Sequence, residues 1–335
     1  MQTPAPMVGA RGGKKSCRPA SINAPARYGM SDKEDVAMSE SRVLITGATG
    51  STGFAAAAAL RGSDVQVRAM VHQDDERTEP LRQLGAEIVT GDLLELDSLV
   101  SAMDGVDSAY FVYPVRPGLL EAASYFAQAA RETAVGAIVN LSQRTAHRHS
   151  KSHAAQNHWI SEQVFDWSST PVTHLRPTLF ADWLLYPFAQ QAITVNDSLV
   201  LPFGSGRFAP IASEDQGRVI ATVLTDPTAH AGQTYLLNGP EVLDGDGIAA
   251  ALTEELGRTI TYRPIPIADF QEIARVTPQF GEFAAQHMGA VVAELIEGRL
   301  SDTNDVVERL TGTPPMSIQA FAGLHRLNFA SRKPA

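Results

Sequence analysis

Apolar and polar positions sort this chain into short solid runs and longer mixed stretches. Six runs, at 43–45, 65–71, 87–89, 108–112, 137–141 and 172–175, are mainly apolar with little alternation. Strands covered on both faces read this way, because water meets neither side. Between them, 53–60, 96–103 and 118–133 read as helices. Alanine fills 55–59. It is the best helix former, and its small side chain lets a helix lie close on a sheet. This alternation predicts an α/β fold, a doubly wound parallel sheet.

After about residue 178 the rhythm changes. Runs at 199–203 and 208–211 flank Gly204-Ser-Gly206 and read as a hairpin or irregular loop. Helices are expected at 214–224, at 246–256 with Gly257 as the stop, and over 270–299 with an interruption at Pro278. Strands are expected at 234–237 and 259–262. The predicted organisation is a parallel-sheet domain at 41–178 and a smaller C-terminal lobe of mixed α/β structure at 179–330. The lobe is expected over the carboxyl edge of the sheet, with the strand near 234–237 returning to it. No Pro/Ser/Gly-rich linker separates the halves, so one compact unit is expected.

Composition narrows the class. The 335 residues are 44% hydrophobic and 19% charged, enough for a sizeable core and too apolar for wholesale disorder. The longest apolar run, 54–60, is far short of the roughly 18 residues a spanning helix needs. A single cysteine, Cys17, excludes a disulfide scaffold and a cysteine zinc site. The net charge of −10 argues against nonspecific binding to nucleic acid or to an anionic membrane. Residues 1–40 differ from the rest: rich in Pro, Gly, Ser and charge, they hold three of the five lysines. The basic residues Arg11, Lys14, Lys15 and Arg18 are not followed by the apolar core of a signal peptide. A disordered N-terminal extension over 1–40 is expected, or a true start at Met30 or Met38, and a cytoplasmic location.

The strongest chemical signal follows the first strand: Gly47-Ala-Thr49-Gly50-Ser51-Thr52-Gly53, leading into a helix. In a dinucleotide site the first glycine makes the tight turn, the second lets the backbone approach the pyrophosphate, and the third lets helix pack on strand. The amides of 49–53 and the helix dipole would face the phosphates. No Gly-Lys-Ser/Thr follows, so this is not a Walker loop. An NAD site usually ends its second strand with an acid, about 20 residues on. Here that strand ends Val-Arg68-Ala-Met-Val-His72, and no acid appears before Asp74. Arg68, His72 and Arg77 are expected near a 2′-phosphate, so NADP (as NADPH) is favoured, with NAD possible. Asp92 and Leu93, in Gly91-Asp-Leu-Leu, are candidates for the adenine; the other reading of Asp92 is a turn or cap.

With Thr-Gly-Ala-Thr-Gly-Ser-Thr-Gly, Val-Arg-Ala-Met-Val, Gly-Asp-Leu and Leu-Arg-Pro177-Thr-Leu-Phe in place, the chain resembles the NmrA-like branch of the short-chain dehydrogenase/reductase superfamily. The segment Ala209-Pro-Ile-Ala-Ser-Glu-Asp215 and the stretch 248–266 add to the likeness, which covers about 42–270. The resemblance implies a Rossmann fold, NAD(P)H binding, and either reductase activity on quinones, azo compounds and other small electrophiles or a nucleotide-sensing role. It also implies that the backbone around Pro177 lies near the nicotinamide.

The superfamily's usual Tyr-x-x-x-Lys pair is missing, since no tyrosine here has lysine four residues later. In its place three residues are candidates: Ser142 at the end of the fifth strand, His158 on the helix after it, and Tyr113 at the end of the fourth. His158 and Glu162 are spaced to share a helix face, either as a working pair or as a surface pair. Trp183 and Tyr186 wall an aromatic acceptor or simply pack the lobe. His147, His149, His153 and His158 crowd together without a zinc motif, so no metal is expected. Two functions remain open. One is an NAD(P)H-dependent oxidoreductase acting on a small quinone-like, azo or aromatic acceptor; the other is a non-enzymatic NAD(P) sensor acting through a protein partner. The expected partners are a small molecule and, at most, a second copy in a homodimer, with neither nucleic acid nor membrane.

Overall fold

The computed structural model describes residues 41–278 and 280–332. By contacts the chain divides into two units, Met1–Ser39 and Glu40–Ala335. The expected N-terminal extension lies outside the described residues.

The first strand is β1 (Ser41–Ile45), followed by α1 (Ser51–Ala59), β2 (Val65–Val71), α2 (Glu79–Gln83), β3 (Glu87–Thr90), α3 (Leu96–Met103), β4 (Ser108–Phe111), α4 (Leu119–Glu132), β5 (Ala137–Leu141), α5 (His153–Trp167) and β6 (Val172–Pro177). Then come α6 (Pro187–Asn196), β7 (Ser198–Leu201), α7 (Ser213–Thr225), α8 (Pro227–His230), β8 (Thr234–Leu237), α9 (Gly245–Leu256), β9 (Thr261–Pro264), α10 (Ile267–Val276), α11 (Gly281–Ile296), α12 (Val306–Thr311) and α13 (Ile318–Leu324). Seven strands pair in parallel in the order β3-β2-β1-β4-β5-β6-β8. The order reverses between β1 and β4, and a doubly wound sheet opens its ligand crevice at that point, beyond the carboxyl ends.

Burial explains the solid apolar runs. Val43, Leu44 and Ile45 alternate between two helix layers, and none is exposed. One layer joins α1, α2, α7 and α12 through Ala56, Leu81, Val219 and Val307. The other joins α3, α4 and α5 through Leu99, Phe126 and Phe165, where Phe111 meets Phe126 and Phe165 at 4.9 and 5.2 Å. The alanines of α1 have a specific partner. A Cβ on Gly217 of α7 would lie 2.4–2.7 Å from Ala55, so the two helices touch backbone to backbone.

Three expectations are corrected. The runs 199–203 and 208–211 do not form a hairpin: β7 pairs in parallel with β9, and Phe208 bridges to Leu243. The late strand is shifted to Thr261–Pro264. The lobe is not a clean block from 179 onwards. As expected β8 returns to the sheet, but α7 and α12 return with it. The lobe's own core gathers Leu184, Ile193, Leu199, Phe208, Leu252 and Leu295 from the intervening segments.

Candidate active site

The glycine loop leaves β1 at its carboxyl end. Gly47 has φ +57°, a left-handed turn that favours glycine, and a Cβ there would strike Val112 at 2.5 Å. A Cβ on Gly53 would sit 2.4 Å from the Gly47 carbonyl oxygen. Both glycines are therefore required by the fold itself. Gly50 is different. Its φ of −87° suits any residue, and a Cβ would meet the Gly47 oxygen at 3.2 Å, a far milder contact than at Gly47 or Gly53. The missing side chain at 50 leaves open the outer side of the loop, where Gly47, Thr49, Gly50 and Ser51 are exposed. The first-turn amides of α1, at Ser51, Thr52 and Gly53, have no acceptor within the helix. This is a cradle for an anion, and the residues fit a pyrophosphate. The Thr52 hydroxyl faces inward, where it accepts a bond from buried Tyr110 at 3.0 Å. Thr52 can offer its amide but not its side chain.

The end of β2 departs from expectation. Arg68 lies in mid-strand, not at the crevice. Its Nε donates to Glu87 at 2.9 Å, and one terminal nitrogen donates to the carbonyls of Ala102 and Asp104, each at 2.8 Å. This buried guanidinium ties β2 to β3 and to the end of α3, which removes it as a phosphate contact. Arg77 forks onto Asp75 at 2.6–3.1 Å and holds that carboxyl below its usual range. His72 remains exposed, with Nδ1 3.7 Å from Asp92 Oδ2. Asp92 Oδ1 accepts the Leu94 amide at 2.8 Å, so the turn reading holds for one of its oxygens. Leu93 beside it is half-buried.

Farther along the same edge, two polar side-chain atoms are buried without a partner, Ser142 Oγ just past β5 and Thr178 Oγ1 just past β6, and a third, His158 Nδ1, is buried without one on α5. Strand pairing brings these two strand ends together: Leu141 lies beside Leu175, the Ser142 amide donates to the Leu175 carbonyl at 2.8 Å, and Thr178 follows three residues past Leu175. Pro177 is buried at the end of β6, and its carbonyl accepts the Arg144 amide at 2.9 Å. Buried polar atoms normally find partners, so unpaired ones at a crevice mark groups available to a ligand. Thr178 was not singled out in the sequence, although it stands inside the Leu-Arg-Pro-Thr segment.

His158 does not pair with Glu162. The carboxylate accepts from Arg176 instead, Nε at 2.8 Å and a second, shorter bond. Burial, helped by nearby His287, pushes the His158 imidazole down to about 3, so it is neutral at ordinary pH. His287 belongs to α11 of the lobe and has no sequence neighbour in the site, so only the fold reveals it. Its Nδ1 lies 2.7 Å from the hydroxyl of Ser152, the residue capping α5. Burial lowers His287 as well, to about 4. Further along α11, Glu294 accepts from Ser150 Oγ at 2.7 Å and lies 3.2 Å from His147 Nε2. The lobe thus clasps the loop that leads from Ser142 to α5.

Tyr113 is buried in the α3–α4 layer, and its hydroxyl donates to the Pro117 carbonyl at 3.0 Å. That bond occupies the proton the catalytic reading needs, so Tyr113 does not face the crevice as an acid. Trp183 packs edge-on to Phe203 at 5.4 Å, and Tyr186 lies 5.3 Å from Phe280. Asp182, between them, caps α7 by accepting from the Ser213 amide at 3.0 Å and from its hydroxyl. Among the described residues, no three His, Cys, Asp or Glu side chains gather as a metal-binding group. No helix among them is long and apolar enough to cross a membrane.

Known proteins share this architecture. An NAD(P)H azoreductase of Xenophilus azovorans is 28% identical over 291 residues, 86% of this chain and 99% of the relative. An NADPH-dependent quinone oxidoreductase of Escherichia coli, solved with NADPH, superposes with a TM-score of 0.73 at 23% identity, covering 85% of this chain and 99% of that one. NmrA, a negative transcriptional regulator solved with NAD, superposes with a TM-score of 0.70 at 16% identity, covering 85% and 95%. The sequence pattern of the NmrA-like family matches residues 39–312. With most of its length inside that match, the chain belongs to the NmrA-like family.

Proposed function

We propose that this protein is an NAD(P)H-dependent reductase that passes hydride to a small quinone-like, azo or other aromatic acceptor. The observation that carries the reading is an anion cradle at the glycine loop with buried, unpartnered Ser142 and Thr178 at the neighbouring strand ends and His158 on α5. The azoreductase relative, matched along almost its whole length, supports reduction over sensing. When bound, a reduced nicotinamide supplies the hydride. The amides at 51–53 hold the pyrophosphate, and Asp92 and His72 stand toward the adenosine end. Ser142, Thr178 and His158 offer hydrogen bonds at the nicotinamide end. His158, kept neutral, positions by hydrogen bonding and not by charge.

The chain lacks the Tyr-x-x-x-Lys pair, and Tyr113 has its proton committed to a carbonyl. A strong, tuned general acid typically adds about 10²–10⁴-fold to a proton transfer. Acceptors whose reduced form picks up its proton from solvent do not need one; simple ketones do. Purified protein mixed with NADPH and a panel of quinones, azo dyes and unactivated ketones tests this. The expected result is turnover with the first two and little with ketones. Tight NADPH binding without turnover on any acceptor would favour the sensing role that the likeness to NmrA suggests.

A further inference from the structure

Away from the glycine loop, the carboxyl ends of β5, β6 and β8 collect polar groups that the fold leaves unpaired. Arg144, just past β5, donates its backbone amide to the Pro177 carbonyl at 2.9 Å. Thr178, just past β6, donates its own to the Leu237 carbonyl at 2.9 Å, which sets it beside Asn238 at the end of β8. A strap crosses these ends after leaving the lobe core at Leu300. Its Asp302 carboxylate accepts from one terminal nitrogen of Arg144 at 2.7 and 2.5 Å, and the Asp302 carbonyl accepts from Asn238 Nδ2 at 2.6 Å. The side chains of Thr303 and Asn304 fasten the same strap to the carbonyls of Gly239 and Leu236, at 2.7 and 3.0 Å. Three atoms of this cluster are buried with no partner among the described residues: Arg144 Nη1, Thr178 Oγ1 and Asn238 Oδ1. Asn238 and Thr178 are only 1% and 4% exposed, so water does not replace the missing partners from outside. The bond from Asn238 Nδ2 to a carbonyl fixes which end of the amide is nitrogen, so its free atom is an acceptor. Leaving such groups unpaired typically costs about 1–3 kcal/mol each, which a ligand that pairs them recovers.

We propose that Arg144, Thr178 and Asn238 form the polar end of the acceptor pocket, and that they select an uncharged aromatic acceptor carrying a carbonyl with an N–H or O–H group beside it. The guanidinium and the hydroxyl donate to the carbonyl, and Asn238 Oδ1 accepts from the flanking donor. Asp302 already balances the charge of Arg144, so a carboxylate or sulfonate in the same place would meet a second anion. The position favours the acceptor over the cofactor. The strand β8 lies four strands along from β1, about 19 Å from the glycine loop at the usual strand spacing. The cover over the cluster comes from the lobe, through Asp302. This rests on the reductase reading above and adds to it the kind of acceptor.

The test is calorimetric titration of the full chain, saturated with NADP⁺, with three aromatics of nearly one shape: 1-naphthamide, 1-acetylnaphthalene and 1-naphthoate. The amide offers an N–H where the ketone has a methyl group and the acid a charged oxygen. The amide should bind about three- to tenfold more tightly than the ketone, the worth of one hydrogen bond, and more tightly than the acid. Asn238→Leu should bring amide and ketone to equal affinity, and Thr178→Val should weaken both by a similar factor and keep their ratio. Equal binding of amide and ketone by the unaltered protein, tighter binding of the acid, or no binding of any of the three overturns the pocket without recourse to a variant. Loss of NADP⁺ affinity in Asn238→Leu, with the ratio intact, would give the cluster to the cofactor's own carboxamide and overturn it as well. Absence of turnover with every quinone and azo acceptor overturns the reductase reading instead, and is measured independently of these titrations.

Discussion

Single side chains in this protein are best understood by asking which of their polar atoms are already taken. His158 and Arg68 look similar in the sequence, as basic residues near an expected cofactor. Their environments separate them. Arg68 has three partners and holds strands together; His158 has a buried nitrogen with none. Removing Arg68 takes the donor from two carbonyls, which typically costs about 1–3 kcal/mol, while half-exposed Glu87 regains water. Arg68→Met should therefore lower stability by about that order in chemical denaturation, leaving the cofactor preference unmoved; a change in preference at unchanged stability would contradict its placement. His158 makes a pH prediction. Unfolded, it takes up a proton near its ordinary value of 6.5; folded, it does so only at about 3. Between those values the unfolded chain binds the extra proton, so acidification favours unfolding. The contribution is complete above pH 6.5 and declines by about 1.4 kcal/mol per unit below it. His287 acts in the same direction. His158→Gln should show a shallower loss of stability between pH 6.5 and 4.5; an identical slope would mean that His158 is not buried in its neutral form. Tyr113→Phe should leave turnover within a few-fold, because its hydroxyl serves Pro117.

The elements show where pattern is enough and where it is not. Buried parallel strands announce themselves as solid apolar runs, and β1, β4, β5 and β6 were legible for that reason, whereas β3 is a half-exposed edge strand. The alanines of α1 were legible as a close-packed helix, but not what they pack on. That partner is Gly217, some 160 residues later in a helix assigned by pattern to the other half of the chain. Gly217→Val should push α1 and α7 apart and lower the melting temperature by several degrees, through overpacking of about 1–3 kcal/mol. An unchanged melting temperature would contradict the backbone contact. Of the hairpin or irregular loop expected at 199–211, the hairpin did not form, for a related reason. A glycine turn between two apolar runs is a local signal, whereas β7 finds its partner in β9, about 60 residues on. Asp182 capping α7 is likewise a pairing of distant segments that spacing does not reveal.

At the scale of the whole molecule, the seven-stranded sheet supplies a rigid edge and the lobe supplies the residues that close over it. The cofactor half of the candidate site was legible because it is local: a strand, a glycine loop and a helix in one stretch. The far end of the candidate site was legible only in part: Ser142 and His158 stood out, while Thr178 after β6 and His287 on α11 are brought to it by the fold. Gly50, whose φ of −87° suits any residue, is the residue that tests the cofactor half. Gly50→Val should abolish NADPH binding with an intact fold, since the branched side chain would fill the space of the pyrophosphate. Retained affinity would place the nucleotide elsewhere. The central claim is that hydride leaves a nicotinamide held on this edge. The most direct measurement is the rate of NADPH oxidation by a quinone acceptor, under conditions where chemistry limits, using cofactor deuterated on one or the other face of C4. The account predicts slower oxidation with one deuterated epimer and an unchanged rate with the other, because a fixed site presents a single face. Equal rates for both epimers, or binding with no oxidation, would contradict it.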